Sequence, residues 1–248
     1  MGTFDSAKGL FREEPWLVSA ALGLACALTA MSGMRLNTID GIYPVELSLT
    51  LRHLLATLAA LAVLVLSHKN ASRSVLSSSP KRVFAIAGCF ALALLMRYSP
   101  YLFITEVPGL MLVGKLLEES IGVLLVLAWA ECIVRSGLKR TVAVFGLAVL
   151  GMGATQVLLT LFQRVPCMLA LVVLPLVSAA LFKTCFQKMG DADASALSER
   201  DDLLTVDVSR PSLIALLCVV VLCFVFTTGQ TLQPTLVIQE RNFSSQLS

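Results

Sequence analysis

Gly109–Val134 reads GLMLVGKLLEESIGVLLVLAWAECIV, and the rest of the chain is organised around it. The stretch is long enough to cross a bilayer, since about 20 apolar residues rising 1.5 Å each span roughly 30 Å. It carries Lys115, Glu118 and Glu119 inside that length. A charge near a bilayer centre costs at least a few kcal/mol, so such charges face a protein interior or a wet cavity. Lys115 stands three and four residues before the two glutamates, where helical neighbours meet. The charges could instead lie in the headgroup region, because long basic side chains snorkel. That placement would leave only Ser120–Val134 as the span, which is short for a crossing. Both placements, a bundle-facing wet cluster and an interfacial one, are open at this level.

Working outward, the composition sets the class. The chain has 248 residues, 57% hydrophobic and 14% charged, with a mean hydropathy of +0.85 and a formal charge of +3. Soluble domains carry about 25% charged residues, so this chain reads as an all-α, multi-pass integral membrane protein. Its basic residues form no nucleic-acid patch, and no direct nucleic-acid contact is expected from it. Cys26, Cys89, Cys132, Cys167, Cys185, Cys218 and Cys223 occur singly, mostly in apolar runs, and read as packing residues. There is no H-E-x-x-H, no G-x-S-x-G and no P-loop, and His53 and His68 are too few for a histidine metal site. No enzymatic activity, cofactor or metal is expected.

The runs fall in a clear order. Residues 1–14 form a short cytoplasmic lead, and residues 15–186 a six-helix membrane domain. Its runs are Pro15–Met34, Leu47–Leu66, Val83–Ile104, the charged helix, Thr141–Phe162 and Cys167–Phe186. Glu13 and Glu14 sit where a signal peptide would be positive, so the first run reads as a retained helix anchored by Trp16. Gly146, Gly151 and Gly153 in the fifth run permit close helix approach, and Pro175 should kink the sixth. Residues 187–211 read as a central cytoplasmic linker, 212–229 as a seventh transmembrane helix and 230–248 as an extracytoplasmic polar tail.

Basic residues set the orientation. With the N-terminus inside, the cytoplasmic segments hold Lys8 and Arg12, then Lys69, Arg73, Lys81 and Arg82. They continue with Arg135, Lys139 and Arg140, and then Lys183, Lys188, Arg200 and Arg210. The outer segments hold only Arg35, Arg164 and Arg241. This bias orients the chain with its N-terminus in the cytoplasm. The same orientation brings Arg52 and His53, Arg97, Lys115, Glu118 and Glu119, and Gln156 with Thr155 and Thr160 to similar depths in the outer half. Four helices therefore place polar groups there, while their inner halves are nearly all apolar. The pattern reads as an outward-facing polar site, with Arg52 or Arg97 as counter-ion to Glu118 or Glu119. Interfacial anchoring of separate helices is the other reading. Glu131, near the cytoplasmic end, stands four residues before Arg135 and reads as half of a helix-surface ion pair.

Six spans, a polar cytoplasmic linker and a further span resemble a major-facilitator-like half followed by the start of the next. The family's loop between spans two and three reads G-x-x-x-D-R-x-G-R-R. Here it is SHKNASRSVLSSSPKR, with no glycine and no acid, and the fifth run has no Gly-Pro pair. The opening Glu14-Pro15-Trp16 and the polar fourth helix with Glu118-Glu119-Ser120 resemble something narrower. They are similar to the membrane portion of LuxR-type transcriptional regulators of Eggerthella-like actinobacteria. The resemblance implies a sensory membrane module that lies ahead of a helix-turn-helix, and these residues contain no helix-turn-helix.

The expected protein is thus a six-plus-one-span bundle in the cell membrane. It would take a small-molecule ligand from the outer side at Arg52, His53, Arg97, Lys115, Glu118, Glu119 and Gln156. Its partners are the lipid bilayer and either a second copy or a missing C-terminal half. The alternative is a secondary transporter half or small permease of the major facilitator type. A seven-helix receptor is opposed by the charge bias, which puts the N-terminus inside.

Overall fold

The computed structural model describes residues 14–32, 45–69, 76–103, 108–134, 136, 138–162 and 164–199. These form six α-helices: α1 Trp16–Ser32, α2 Val45–Lys69, α3 Pro80–Phe103, α4 Pro108–Val134, α5 Leu138–Thr160 and α6 Arg164–Glu199. The expected linker and seventh helix at 200–229 lie outside the described residues. So do the polar tail and residues 1–13 of the lead.

Local chemistry explains the helix ends. α3 and α4 both begin on proline, whose missing N–H and fixed φ suit a first turn. Ser79 precedes α3, and its carbonyl accepts from Arg82 N at 3.0 Å. At the end of α4 the carbonyl of Ile133 accepts from Ser136 N at 3.0 Å and from Ser136 Oγ at 2.6 Å. Thr141 Oγ1 adds a longer bond of 3.3 Å to the same carbonyl. A helix end hidden among other helices needs such partners for its last carbonyls. α6 runs through Pro175 and continues to Glu199. The first residues of the expected linker, 187–199, are therefore helical and prolong the sixth helix.

α4 borders α1, α2, α3 and α5, and its contact with α3 is the most extensive in the bundle. α1 packs on α4, α5 and α6, and α6 also closes against α3. α2 sits outside this group and reaches α4 through Ala56, Ala60 and Val63, which meet Val123, Leu127 and Ala130. In lipid there is little hydrophobic drive between helices, so small residues that admit close contact decide which faces meet. α1 follows that rule with buried Ala20, Ala21, Ala25, Ala27 and Ala30.

Two helix pairs are tied at both ends. Arg97 of α3 meets Glu118 of α4 at one end. At the other, Glu131 Oε2 accepts from the backbone N–H groups of Leu76 and Ser77, just before α3, both at 2.9 Å. Gln156 of α5 bonds Ser32 of α1 at one end, and Arg140 bonds Glu14 at the other. Trp129 joins the pairs near the middle. Its Nε1 donates to Ser178 Oγ of α6 at 2.9 Å, and Ser178 Oγ donates to the Gly23 carbonyl of α1 at 2.7 Å. A Cβ at Gly23 would overlap the edge of the Trp129 ring at Cζ2 and Cη2, so glycine lets α1 pass this ring.

The exterior is apolar. Leu150 and Leu161 are 71% and 77% exposed, and Leu54, Leu58, Leu61 and Val65 line the open side of α2. Contiguous apolar surface of this extent is unusual on a soluble monomer and is what hydrocarbon would cover. By length and apolarity, Pro80–Ser99, Arg140–Leu159 and Val165–Lys188 can cross a membrane. The expected six spans are thus reduced, among the described residues, to three that meet both requirements. α1 is apolar but only 17 residues long. α4 has the length, but Lys115, Glu118, Glu119 and Glu131 interrupt it.

One packing expectation is corrected. Of the three glycines in α5, only Gly151 supports a close approach, with the Ala25 side chain 3.1 Å from where its Cβ would stand. Gly146 and Gly153 face open space. The tight crossing lies instead at Gly114 on α4.

Candidate functional site

The inward stripe of α4 runs Gly114, Glu118, Gly122, Leu125, Trp129 and Ile133, spaced four, four, three, four and four residues apart. Glu118 is therefore committed to the interior by its phase, whatever its charge. On α3 the inward stripe is Val83, Ala87, Phe90, Leu94 and Tyr98, and Arg97 lies at its edge.

Gly114 brings the two stripes together. Its hypothetical Cβ would lie 2.5 Å from Arg97 N, 2.7 Å from Ala93 O and 3.0 Å from Met96 C. The backbones of α3 and α4 thus touch at this point. Glu118 follows one turn along, within reach of the Arg97 side chain. Arg97 Nη1 donates to Glu118 Oε1 at 2.5 Å and to Oε2 at 2.6 Å. These are short, charge-assisted bonds. The Arg97 guanidinium carbon also stands 5.4 Å from the centre of the Tyr98 ring, within cation–π range.

Burial is unequal across the pair. The Glu118 side chain is 1% exposed and the Arg97 side chain 19%. Glu119 is buried beside Glu118, and Lys115 is half-buried one turn before. Ser120 Oγ is buried and has no hydrogen-bond partner among the described residues.

Of the two arginines expected as counter-ion, the structure pairs Arg97 with Glu118. The side chains of Arg52 and His53 lie outside the described residues, although both belong to α2, which borders α4. Gln156 is engaged by a different pair of helices. Its Nε2 donates to Ser32 Oγ at 2.7 Å, and Ser32 Oγ donates to the Thr29 carbonyl at 2.9 Å. Thr155 Oγ1 folds back on the Gly151 carbonyl at 2.8 Å. Ser32 and Arg97 both stand in the C-terminal parts of their helices, with Glu118 in the first half of α4 and Gln156 in the last part of α5. The polar groups therefore gather in one half of the bundle.

The expected pairing of Glu131 with Arg135 falls on a residue outside the described ones, and Glu131 has a further role. Its Oε2 holds the turn before α3. Neither that clasp nor the Trp129–Ser178–Gly23 chain was read in the sequence. A lone serine in the apolar run LVVLPLVSAALF was the available signal for the second. Among the described residues, no three His, Cys, Asp or Glu side chains gather to hold a metal.

Comparison with known proteins finds no matching family model, no matching curated protein and no matching solved structure. The functional reading therefore rests on the residues themselves. What they form is a desolvated carboxylate neutralised by a guanidinium that keeps contact with the surface.

Proposed function

We propose that this chain is the sensory membrane module of a LuxR-type transcriptional regulator, binding a small molecule at the Arg97–Glu118 cluster on the outer side of the cell membrane. The observation that carries the reading is the burial of Glu118 against Arg97 inside an otherwise apolar bundle. A buried ion pair is often no more stabilising than apolar residues of the same volume. Ionisable groups within membrane helices generally mark functional sites. The basic loops support an inside N-terminus, which puts this end of the bundle outside. The absence of glycine and acid from SHKNASRSVLSSSPKR supports sensing over transport. α6, continuing beyond its apolar part to Glu199, supplies a helix that could carry a change of state to the cytoplasmic side.

The test uses the full chain in lipid nanodiscs. Thermal unfolding is followed against amino acids, organic acids, organic cations and sugars, and each hit is then offered to proteoliposomes. The expected result is a compound that stabilises the native chain, does not stabilise Arg97→Leu/Glu118→Leu and is not accumulated. Accumulation would make the chain a secondary transporter half or small permease. If every hit stabilises the double variant equally, the cluster is not the site. The regulator assignment is tested separately, by reading the source gene downstream of codon 248 for a helix-turn-helix in frame.

A further inference from the structure

Trp129 marks where α4 meets α6. Its Nε1 donates to Ser178 Oγ, and its ring stands edge-on to Phe182 with centroids 5.0 Å apart. Three residues further along each helix come Cys132 on α4 and Cys185 on α6. Three residues bring a helix back to nearly the same face, so the contact continues one turn on through these two side chains. Their thiols are hydrogen-bonded to each other. Both cysteines are reduced, and they are 4% and 0% exposed.

A buried cysteine by itself is a small packing residue. Two that touch across a helix boundary form a dithiol, which has a chemistry neither has alone: two-electron oxidation to a disulfide. The location favours reversibility. The pair lies in the half of the bundle away from Arg97 and Glu118, with Lys183 and Lys188 exposed on the same stretch of α6. The basic loops assign that half to the cytoplasm. There the thiol pools keep cysteines reduced, and disulfides are transient and redox-sensing.

We propose that Cys132 and Cys185 are a redox pair that a hydroperoxide converts to a disulfide joining α4 to α6. One sulfur attacks the peroxide, takes one oxygen as a sulfenic acid and releases water. The second thiol then attacks that sulfur and displaces the oxygen as a second water. Two thiols and one hydrogen peroxide thus give one disulfide and two waters, with two electrons passing from the sulfurs to the peroxide. Burial slows the reaction of a thiol, so the oxidant has to be small and uncharged, as hydrogen peroxide is. The adjacent thiol intercepts the sulfenic acid before it is oxidised further, and a dithiol reductant reverses the step. The oxidised form locks α4, which carries Glu118, to α6, which continues to Glu199. The proposal does not depend on the ligand-site reading.

The full chain in phosphatidylcholine nanodiscs is treated with hydrogen peroxide, and the excess is removed. Remaining thiols are blocked during unfolding, and the digested chain is searched by mass spectrometry for linked peptides. The expected product is one link between Cys132 and Cys185 that dithiothreitol removes. Closing a long loop in the unfolded chain should also raise the melting temperature by about 5 °C or more. Cys132→Ser and Cys185→Ser should each abolish the link and the rise, whereas Cys89→Ser, at an exposed position, should keep both. The link is read on the native chain, so the test stands even where a serine variant fails to fold.

If Cys89 is fully oxidised while Cys132 and Cys185 remain thiols, the proposal falls. It falls equally if the links join other cysteines. A Cys132–Cys185 link that forms only after unfolding in detergent, or that leaves the melting temperature unchanged, also overturns it, because the folded contact is then not what makes the bond.

Discussion

Gly114→Ala is the sharpest perturbation the fold offers. A Cβ there would meet three backbone atoms of α3, at 2.5, 2.7 and 3.0 Å, where ordinary contact begins at 3.4 Å. Backbone cannot rotate away as a side chain can, so α3 and α4 must part by about 0.9 Å at their most extensive interface. The Arg97–Glu118 bonds, at 2.5 and 2.6 Å, would be stretched by up to a similar amount and weakened. Overpacking of this kind costs typically about 1–3 kcal/mol, and weakening a buried pair adds to it. The assay is reversible unfolding by denaturing detergent, with thermal melting in nanodiscs as a second probe. The expected loss is about 2–4 kcal/mol. Gly146→Ala and Gly153→Ala are internal controls, because nothing lies within 4 Å of either Cβ. They should be neutral or slightly stabilising, since alanine is the better helix former by about 1 kcal/mol. If Gly114→Ala behaves like these two, the α3–α4 crossing is not where it is drawn, and the argument that Gly114 positions Arg97 fails.

Other expectations follow from the same contacts. Arg97→Leu should destabilise by about 3–5 kcal/mol because it strands Glu118, whereas Arg97→Leu/Glu118→Leu should recover most of that loss; a double-mutant cycle in nanodiscs checks the sign. Ser178→Ala removes the acceptor of Trp129 Nε1 and the donor to the Gly23 carbonyl, and should cost about 2 kcal/mol in the same unfolding assay. Glu131→Ala takes the acceptor from two backbone amides, so hydrogen exchange at Leu76 and Ser77 should accelerate at least tenfold, with amides in the middle of α3 unchanged.

The helical class was legible in the sequence because long apolar runs separated by basic loops are a one-dimensional signal. All six described helices fall on runs recognised that way. The count of spans was less legible. Apolarity over a window says how long a run is, and α1 and α4 depart from the ideal through length and charge respectively. The polar site was legible in part. Glu118 and Arg97 stood out as charges where charges are expensive, while Gln156 was grouped with them on depth and is bonded to Ser32. Glycine spacing was misleading: three glycines in α5 suggested a packing face, yet the decisive glycine sits among the charges of α4.

By itself the sequence determined the helical, apolar class of the molecule and where its polar groups fall along each helix, because residues along a helix advance by a constant 1.5 Å. That rule brings Arg97, Glu118 and Gln156 to one half of the bundle without reference to any neighbour. Only the tertiary structure decided partnership. It paired Glu118 with Arg97, turned Glu131 toward the turn before α3, and spent Ser178 on joining Trp129 to α1. The physical reason is that rotation and neighbour choice depend on which small residues let two backbones touch, and Gly23 and Gly114 acquire that role only when a particular helix lies across them.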